Sequence, residues 1–186
     1  MPSGPAPESR SGAARRGAMP IARLILPSPI GDLALESADG VTLRAILFDG
    51  GAGAEPTADP PGVLARAAAQ LREYFAGQRQ VFELPLGAKG TPFQTRVWDL
   101  VAAIPYGTTV TYGSLAARMG LTPGASRAIG GANGSNPLPI VVPCHRVIGA
   151  DGTLTGYAGG LPRKQLLLQL EGVLTGADQA RLFDVD

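Results

Sequence analysis

Short apolar runs separated by turn residues make up the first patterned stretch of the chain, residues 20–49. The runs are IARLIL, GDLALES and VTLRAILF, and the sequences PSPIG and ADG separate them. Brief alternation of apolar and polar residues predicts β-strands, and the Asp39-Gly40 pair between two such runs predicts a hairpin. A later run, QVFELPL at residues 80–86, predicts one more strand.

A helical repeat lies between these strands. In VLARAAAQLREYFAG, apolar residues recur every three or four positions on one face of a helix that ends at Gly77. That face consists of Val63, Leu64, Ala67, Ala68, Leu71 and Phe75. Residues 20–86 are therefore predicted to form a small sheet packed with one helix.

The pattern changes to helices after residue 90. In TPFQTRVWDLVAAI, Thr91 is a predicted N-cap and Pro92 the first helical residue. The predicted buried face of this helix consists of Phe93, Val97, Leu100 and Val101. Two short helices follow, at SLAARMG and at residues 123–132, and PRKQLLLQLE forms the last helix, which Gly172 closes.

The two short helices flank the turn MGLTPG, and this is the spacing of a helix-turn-helix. Helix pairs of this kind also occur without any role in DNA binding. The exposed positions of the second helix are predicted to include Gly130, Gly131 and Ala132, whose side chains are too short to contact base edges. Small residues let a backbone approach its ligand closely, and Arg127 is the one long cation in this helix. The pattern favours a helix that packs on DNA and inserts a single arginine.

These patterns divide the chain into four segments. Residues 1–18, rich in Pro, Gly, Ser and Ala, are predicted to be a disordered extension, and the folded part begins at Met19. Residues 19–88 form the sheet domain. Residues 89–175 form the helix-turn-helix domain, which carries the chemistry, and residues 176–186 form an acidic tail.

Composition and charge narrow the class of protein. With 45% hydrophobic and 17% charged residues, the chain is typical of a soluble globular protein. No apolar run approaches the ~20 residues of a membrane span and no secretory signal is evident, so a cytoplasmic location is expected. The net charge of +1 conceals a local excess of positive charge, because residues 89–171 hold seven Lys and Arg residues against three acidic residues. Such an excess attracts a polyanion such as nucleic acid, although scattered surface charge explains it equally well.

The single cysteine and the single histidine of the chain are adjacent, as Cys144 and His145 in PIVVPCHRVIG. One cysteine excludes an intramolecular disulfide, and this pair cannot supply the four ligands of a structural zinc site. Pro143 suits the first turn of a helix, so Cys144 is expected near a helical N-terminus beside His145 and Arg146. Each of these features lowers the pKa of a thiol. The alternative is an inert buried cysteine.

Three further polar residues are candidate partners of this pair. Adjacent side chains point apart, so we expect a water molecule between the Cys144 thiol and the His145 imidazole. A histidine base usually needs an orienting carboxylate, and Glu171, at the edge of the apolar face of the last helix, is the candidate. Asn136, in GSNP, is a turn former that can brace the loop leading to Cys144. Tyr112 offers a hydroxyl where the helix pair begins. A structural role also explains each of these three residues individually.

Three segments together closely resemble the O6-alkylguanine-DNA alkyltransferases, also called methylated-DNA–protein-cysteine methyltransferases. They are GTPFQTRVWDLVAAIPYGTTVTYGSLAARMG, SRAIGGANGSNPLPIVVPCHRVIGADGTLTGYAGGL and RKQLLLQLEG. The match is dense over residues 91–172 and looser over residues 20–86. The resemblance implies an α+β fold. In it a small N-terminal β-sheet with a helix, a ribonuclease-H-like lobe, packs on a mostly helical C-terminal lobe that contains a helix-turn-helix.

The resemblance also implies catalytic roles. Cys144 would accept the alkyl group irreversibly from O6 of guanine, with O4-alkylthymine as a second substrate. His145 would remove the thiol proton through a water, and Glu171 would orient the imidazole. Asn136 would brace the active-site turn. Tyr112 would donate to guanine N3 and crowd the neighbouring phosphate.

The same resemblance implies how DNA is held. Arg127 would fill the base stack after the damaged nucleotide flips out, and the small residues that follow it would face the minor groove. The substrate pocket would be lined by Val147, Tyr157, Ala158 and Pro139, with backbone groups near Val147 and Ala158 reading the guanine edge. No cofactor and no metal are implied. The implied partner is double-stranded DNA containing O6-alkylguanine, bound by a monomer with or without cooperativity along the DNA.

The chain departs from the family pattern at one pocket position. Some relatives carry a serine where this chain has Ala158. In this chain a backbone N–H would therefore have to donate the hydrogen bond to O6 of guanine. Non-reactive relatives have tryptophan in place of the cysteine, and Cys144 argues against that class. From the residues alone two other functions stay open. One is a module that binds damaged DNA or regulates transcription without chemistry, and the other is a turnover thiol hydrolase with a Cys-His-Glu triad.

Overall fold

Three antiparallel strands form the sheet of the N-terminal lobe. The computed structural model describes residues 20–53 and 55–174, and the predictions for residues 1–18, Met19 and residues 176–186 lie outside these ranges. The strands are β1 (Ala22–Leu26), β2 (Leu33–Ser37) and β3 (Ala45–Leu47), in the order β1-β2-β3. The prediction of strands from the first three apolar runs is confirmed.

The connection between β2 and β3 is the predicted hairpin. Gly40 has a φ of 73°, which few other residues tolerate. The Asp39 carboxylate accepts hydrogen bonds from the backbone N–H groups of Val41 and Thr42, at 2.9 and 2.8 Å. The connection is longer than a two-residue loop, because β3 begins only at Ala45.

One helix, α1 (Gly62–Phe75), covers this sheet by packing against β1 and β2. Its predicted face is buried from Val63 to Leu71, and Phe75 is partly buried. Tyr74 is also fully buried, although the apolar pattern did not place it on that face. The last turn of α1 therefore carries a phenol hydroxyl into the interior of the protein.

The predicted strand at residues 80–86 is wrong. Leu86 forms an isolated bridge to Leu43, and residues 80–85 adopt no strand. The backbone of Glu83 is bonded instead to the amide side chain of Gln70 in α1, through both its N–H (2.8 Å) and its carbonyl (3.1 Å). A side chain therefore replaces the neighbouring strand that a sheet would require.

Four helices and a two-stranded sheet form the described part of the C-terminal lobe. They are α2 (Pro92–Ala102), β4 (Val110–Thr111), α3 (Tyr112–Arg118), α4 (Ser126–Gly134), β5 (Val147–Ile148) and α5 (Leu161–Leu170). Helices α3 and α4 pack on each other as the predicted pair. The parallel pairing of β4 with β5 was not predicted, because each strand has only two residues.

Helix α2 begins at the predicted N-cap. Thr91 Oγ1 accepts from the Gln94 N–H at 3.2 Å, and the Gln94 side chain accepts from the Thr91 N–H at 2.8 Å, which completes a capping box. The assignment of Phe93 to the buried face is wrong, since it is 37% exposed in the first turn. The buried aromatic residue is Trp98, whose Nε1 donates to the Ala132 carbonyl of α4 at 2.8 Å.

The two lobes share one hydrophobic core and direct hydrogen bonds. In β3, the Ile46 N–H donates to the Pro137 carbonyl at 2.8 Å, so the edge strand of the sheet meets the loop that leads to Cys144. This is the predicted α+β arrangement, with the sheet lobe packed on the helical lobe. None of the helices in the described ranges has the length and apolar character needed to cross a bilayer.

Candidate active site

One amide side chain holds the loop before Cys144. Asn136 donates from Nδ2 to the Val142 carbonyl at 2.8 Å, and its Oδ1 accepts from the Leu138 N–H at 3.0 Å. Between these contacts Ile140 is buried with a φ of 75°, a strained conformation for a β-branched residue. Asn136 therefore closes both ends of a strained turn that delivers the chain to Cys144.

Cys144 begins a short 3₁₀ turn, Cys144–Arg146, and not the predicted helix. That prediction is wrong because the chain is already extended again at Val147, which joins β5. Cys144 is only 4% exposed. Burial raises the pKa of its thiol, and a hydrogen bond from Asn136 and the charge of Lys164 oppose this only in part. The expected lowering of the pKa is therefore wrong, and the thiol needs a base.

His145 is completely buried, and its Nε2 lies 2.7 Å from Glu171 Oε1. Burial lowers the pKa of the imidazole, and the Glu171 carboxylate opposes this in part. A neutral ring beside a carboxylate donates from Nε2, which leaves Nδ1 unprotonated as an acceptor. Nδ1 is itself buried and has no hydrogen-bond partner among the described residues. His145 thus has the tautomer that a general base requires.

Glu171, directly after α5, gathers donors from four residues. Its carboxylate accepts from His145, from Arg146 Nε (2.8 Å) and Nη2 (2.9 Å), from the Tyr74 hydroxyl (2.7 Å) and from the Gly107 N–H (3.3 Å). Burial raises the pKa of Glu171, but the hydrogen bonds from His145 and Arg146 outweigh it and lower the pKa to about 2. The carboxylate is therefore ionised and can hold the imidazole.

A pocket of about 410 Å³ has a lining that includes Tyr112, Arg127, Gly130, Tyr157 and Ala158, and Cys144 itself is not part of this lining. Burial, and after it the charge of the neighbouring sulfur, raises the pKa of Tyr157 well above 10. Five residues that the sequence singled out therefore line one cavity, and Tyr157 connects this cavity with the Cys144 sulfur. Across the described ranges, no cluster of three or more His, Cys, Asp or Glu side chains could hold a metal ion.

Known proteins match both lobes. A family model described as the ribonuclease-like domain of 6-O-methylguanine DNA methyltransferase matches residues 22–88. A second, described as the DNA binding domain of the same family, matches residues 92–173. The chain belongs to the 6-O-methylguanine DNA methyltransferase family. The resemblance predicted from the sequence, and with it the fold class, is confirmed.

Individual relatives of the methyltransferase family cover nearly the same length. A methylated-DNA–protein-cysteine methyltransferase of Mycobacterium bovis is 46% identical over 167 residues, which is 86% of this chain and 96% of the relative. The crystal structure of Mycobacterium tuberculosis O6-methylguanine methyltransferase aligns with a TM-score of 0.71 at 43% identity, over 87% of this chain and 98% of that chain. A structure of the M. tuberculosis protein in complex with DNA aligns with a TM-score of 0.71 at 45% identity, over 86% and 98%.

The remaining residues predicted from the family pattern lie outside the pocket lining. Val147 and Pro139 are buried, and Gly131 is exposed on α4. The prediction that Ala132 is exposed is wrong, because it faces Trp98 of α2 and is 5% exposed. On α4 the exposed glycines are therefore Gly131 and Gly134, which lie on either side of the buried Ala132.

Sequence reasoning missed a buried cation, Lys164 of α5. Its side chain is inaccessible, and Nζ donates to the carbonyls of Val147 (2.6 Å) and Thr155 (2.9 Å). Burial lowers the pKa of Lys164 to about 8, although the Cys144 sulfur opposes this. The available signal was its position three residues before the buried Leu167, which places a lysine on an apolar helix face.

We expect the Lys164→Met variant to shift the alkylation of Cys144 by iodoacetamide to higher pH. The ammonium group lowers the pKa of the thiol, so a neutral side chain of similar length leaves less thiolate at a given pH. Because the chain has one cysteine, the loss of free thiol with time measures this rate directly. The matched control is Lys89→Met, at the exposed second lysine. If the pH at which alkylation reaches half its maximal rate is unchanged in Lys164→Met, Lys164 does not act on the sulfur.

Proposed function

We propose that this family member repairs DNA by transferring the alkyl group of O6-alkylguanine to its own Cys144, once per molecule. O4-alkylthymine is a second proposed substrate. One observation carries the proposal: a buried thiol adjoins a neutral imidazole that a carboxylate holds and whose Nδ1 has no partner in the described ranges. The 46% identical relative is named methylated-DNA–protein-cysteine methyltransferase, which supports the same reaction.

The protonation state of the thiol defines the chemistry. Burial keeps the Cys144 pKa high, so a proton must leave as sulfur attacks. His145 Nδ1 takes this proton through a water, and Glu171 stabilises the imidazolium. The S–C bond forms as the C–O6 bond breaks, and the electron pair of that bond stays on guanine. The departing guanine anion takes up a proton, which balances the proton that the thiol lost to His145. The products are a thioether and unmodified guanine, so each protein molecule acts once.

Tyr112 is the proposed donor to guanine N3. Its hydroxyl lies 3.2 Å from the Thr155 carbonyl and 3.4 Å from that of Gly156, on the rim of the pocket. Burial raises the pKa of Tyr112, so the hydroxyl keeps its proton and can donate a hydrogen bond to the departing guanine. The backbone groups near Val147 and Ala158 are proposed to read the guanine edge, and Asn136 to hold the turn that carries the sulfur.

Base extrusion is part of the proposal, because O6 of a stacked guanine is out of reach of a buried sulfur. Flipping a nucleotide costs a few kcal/mol, which the pocket and an inserted side chain would offset. Arg127 is exposed at the start of α4 and lines the pocket, so its guanidinium is placed to fill the vacated stack. The small exposed Gly131 allows α4 to approach a minor groove closely. The DNA complex of the M. tuberculosis relative supports DNA as the partner.

The organisation of the chain completes the proposal. A sheet domain over residues 19–88 supports a catalytic domain over residues 89–175. Tyr157 belongs to the substrate pocket, whereas Pro139 is buried outside its lining. The protein acts as a monomer, in the cytoplasm with the nucleoid DNA. Sedimentation of the untagged protein with and without a short duplex tests the stoichiometry of the complex.

Intact-mass spectrometry tests the proposed reaction. The protein is incubated with a duplex containing one O6-methylguanine, and the expected product carries one methyl group on Cys144, with no more than one guanine restored per protein. Many repaired duplexes per protein would indicate a hydrolase. An unchanged mass together with tight binding to the damaged duplex would indicate a binding module. Either result would overturn the proposal.

We expect the Arg127→Ala variant to repair a duplex far more slowly than the wild type, while its reaction with free O6-benzylguanine stays nearly unchanged. A free base needs no extrusion, so only the duplex reaction loses the inserted side chain. Single-turnover rates on both substrates measure the difference. Arg66→Ala, at an exposed arginine of α1, is the matched control. Equal losses on both substrates would exclude a flipping role for Arg127.

A further inference from the structure

A hydroxyl of the sheet lobe reaches the carboxylate of the active site. Tyr74, in the last turn of α1, donates to Glu171 Oε1 at 2.7 Å, and His145 Nε2 donates to the same oxygen at 2.7 Å. The two hydrogen bonds therefore share one acceptor atom. Neither Tyr74 nor His145 has measurable exposure, so water does not compete for that oxygen at either contact.

The Tyr74 ring is fixed by its aromatic neighbours. Phe75, Phe82 and Tyr106 lie with ring centroids 5.5, 5.6 and 6.2 Å from it. Rotation of the phenol away from Glu171 would break these contacts. Burial, and then the Glu171 charge, raises the pKa of Tyr74 far above its ordinary value, so the hydroxyl remains a donor at every working pH.

We propose that Tyr74 is a positioning residue for the transfer reaction, through which the N-terminal lobe sets the orientation and basicity of His145. This inference rests on the proposed function, in which His145 takes the thiol proton. The hydroxyl draws negative charge from Glu171 Oε1, so the carboxylate stabilises the imidazolium less. The ring then stays neutral and available as a base over a wider pH range.

Other charged and titratable groups face the same carboxylate and imidazole. Arg146 donates to both oxygens of Glu171, and its charge lowers the pKa of His145, as does the charge of Lys164. Tyr106 packs against Tyr74 and Arg146, but its hydroxyl donates to the Leu170 carbonyl at 3.0 Å. Tyr106 thus belongs to the same cluster without touching the carboxylate.

The test is a titration of His145 in the Tyr74→Phe variant. Because the chain has one histidine, the untagged protein gives one set of imidazole resonances, and NMR follows its pKa without DNA. Removing the hydroxyl is expected to raise the pKa of His145 by roughly half a pH unit or more. The acid limb of the pH–rate profile for methyl transfer should move upward by the same amount. Tyr106→Phe, which removes a hydroxyl from the same cluster, should change neither the His145 pKa nor the midpoint of the acid limb of the pH–rate profile.

Several results would overturn this inference. A lower rate with unmoved midpoints in Tyr74→Phe would mean a purely structural role, and equal shifts in Tyr74→Phe and Tyr106→Phe would mean general loosening. If Tyr74→Phe fails to fold, a fluorotyrosine placed at position 74 keeps the ring and donates more strongly. It should move the His145 midpoint to lower pH, and no movement would refute the coupling. A wild type that transfers no methyl group would refute the proposed function, while the titration would still report on Tyr74.

Discussion

Replacement of Cys144 by serine is expected to abolish methyl transfer while leaving the affinity for damaged duplex nearly unchanged. The substitution keeps the size and the position of the side chain, so the pocket lined by Tyr112, Arg127 and Tyr157 stays intact. It replaces a polarisable sulfur by a hydroxyl group. The acidity of this hydroxyl is several orders of magnitude too low for a neutral imidazole to ionise it. Intact mass and fluorescence anisotropy on an O6-methylguanine duplex measure the two properties.

Cys144→Ala is the matched control for this loss. It removes the nucleophile without adding a hydroxyl, so both variants should be inactive, bind DNA and melt near the wild-type temperature. A methyl group found on the Cys144→Ser protein would place the acceptor elsewhere in the chain. Restored guanine with no gain in protein mass would remove the need for a cysteine acceptor altogether.

Local signals in the sequence predicted most of the helices. Thr91 followed by Pro92 fixes the start of α2 whatever surrounds it, and Gly77 lies just beyond α1 with a φ of 72°. The strand predicted at residues 80–86 failed because the backbone of Glu83 pairs with the side chain of Gln70, 13 residues earlier, and not with a neighbouring strand. An apolar pattern indicates burial, but it does not identify the partner of the backbone.

The site shows the same division between local and distant information. Cys144, His145 and Glu171 were singled out because their chemistry is unusual in the sequence. The sign of the thiol pKa shift was wrong because burial depends on the whole fold. Tyr74 was missed because the contact that gives it a role joins positions 97 residues apart. The contacts around Glu171 could therefore be identified only from the structure, in which the two lobes are packed together.

Glu171→Gln is expected to unfold the protein more easily as well as to slow the reaction. The amide keeps the shape of the side chain but removes the charge that Arg146 and His145 face in a site with no solvent access at the carboxylate. Removing one partner of a buried ion pair costs ~3–5 kcal/mol, because the other charge stays buried without compensation. Urea denaturation measures this loss. The control is Glu73→Gln, whose 44% exposed carboxylate pairs with Arg79 and should contribute less than ~1 kcal/mol.

The pH dependence of this loss of unfolding free energy shows whether Glu171 stabilises the fold through its charge or only through its packing. The Glu171 pKa is about 2 in the folded protein against an ordinary 4.5, so its stabilising effect is complete above pH 4.5 and is lost as the pH falls towards 2. His145, whose pKa burial lowers, adds a loss in the same direction below pH 6.5, since the unfolded ring binds a proton more readily. The difference in unfolding free energy between wild type and Glu171→Gln should therefore shrink between pH 4.5 and 2. A difference that stays constant over this range would mean that the amide retains every contact that matters, and that the charge of Glu171 does not hold the site together.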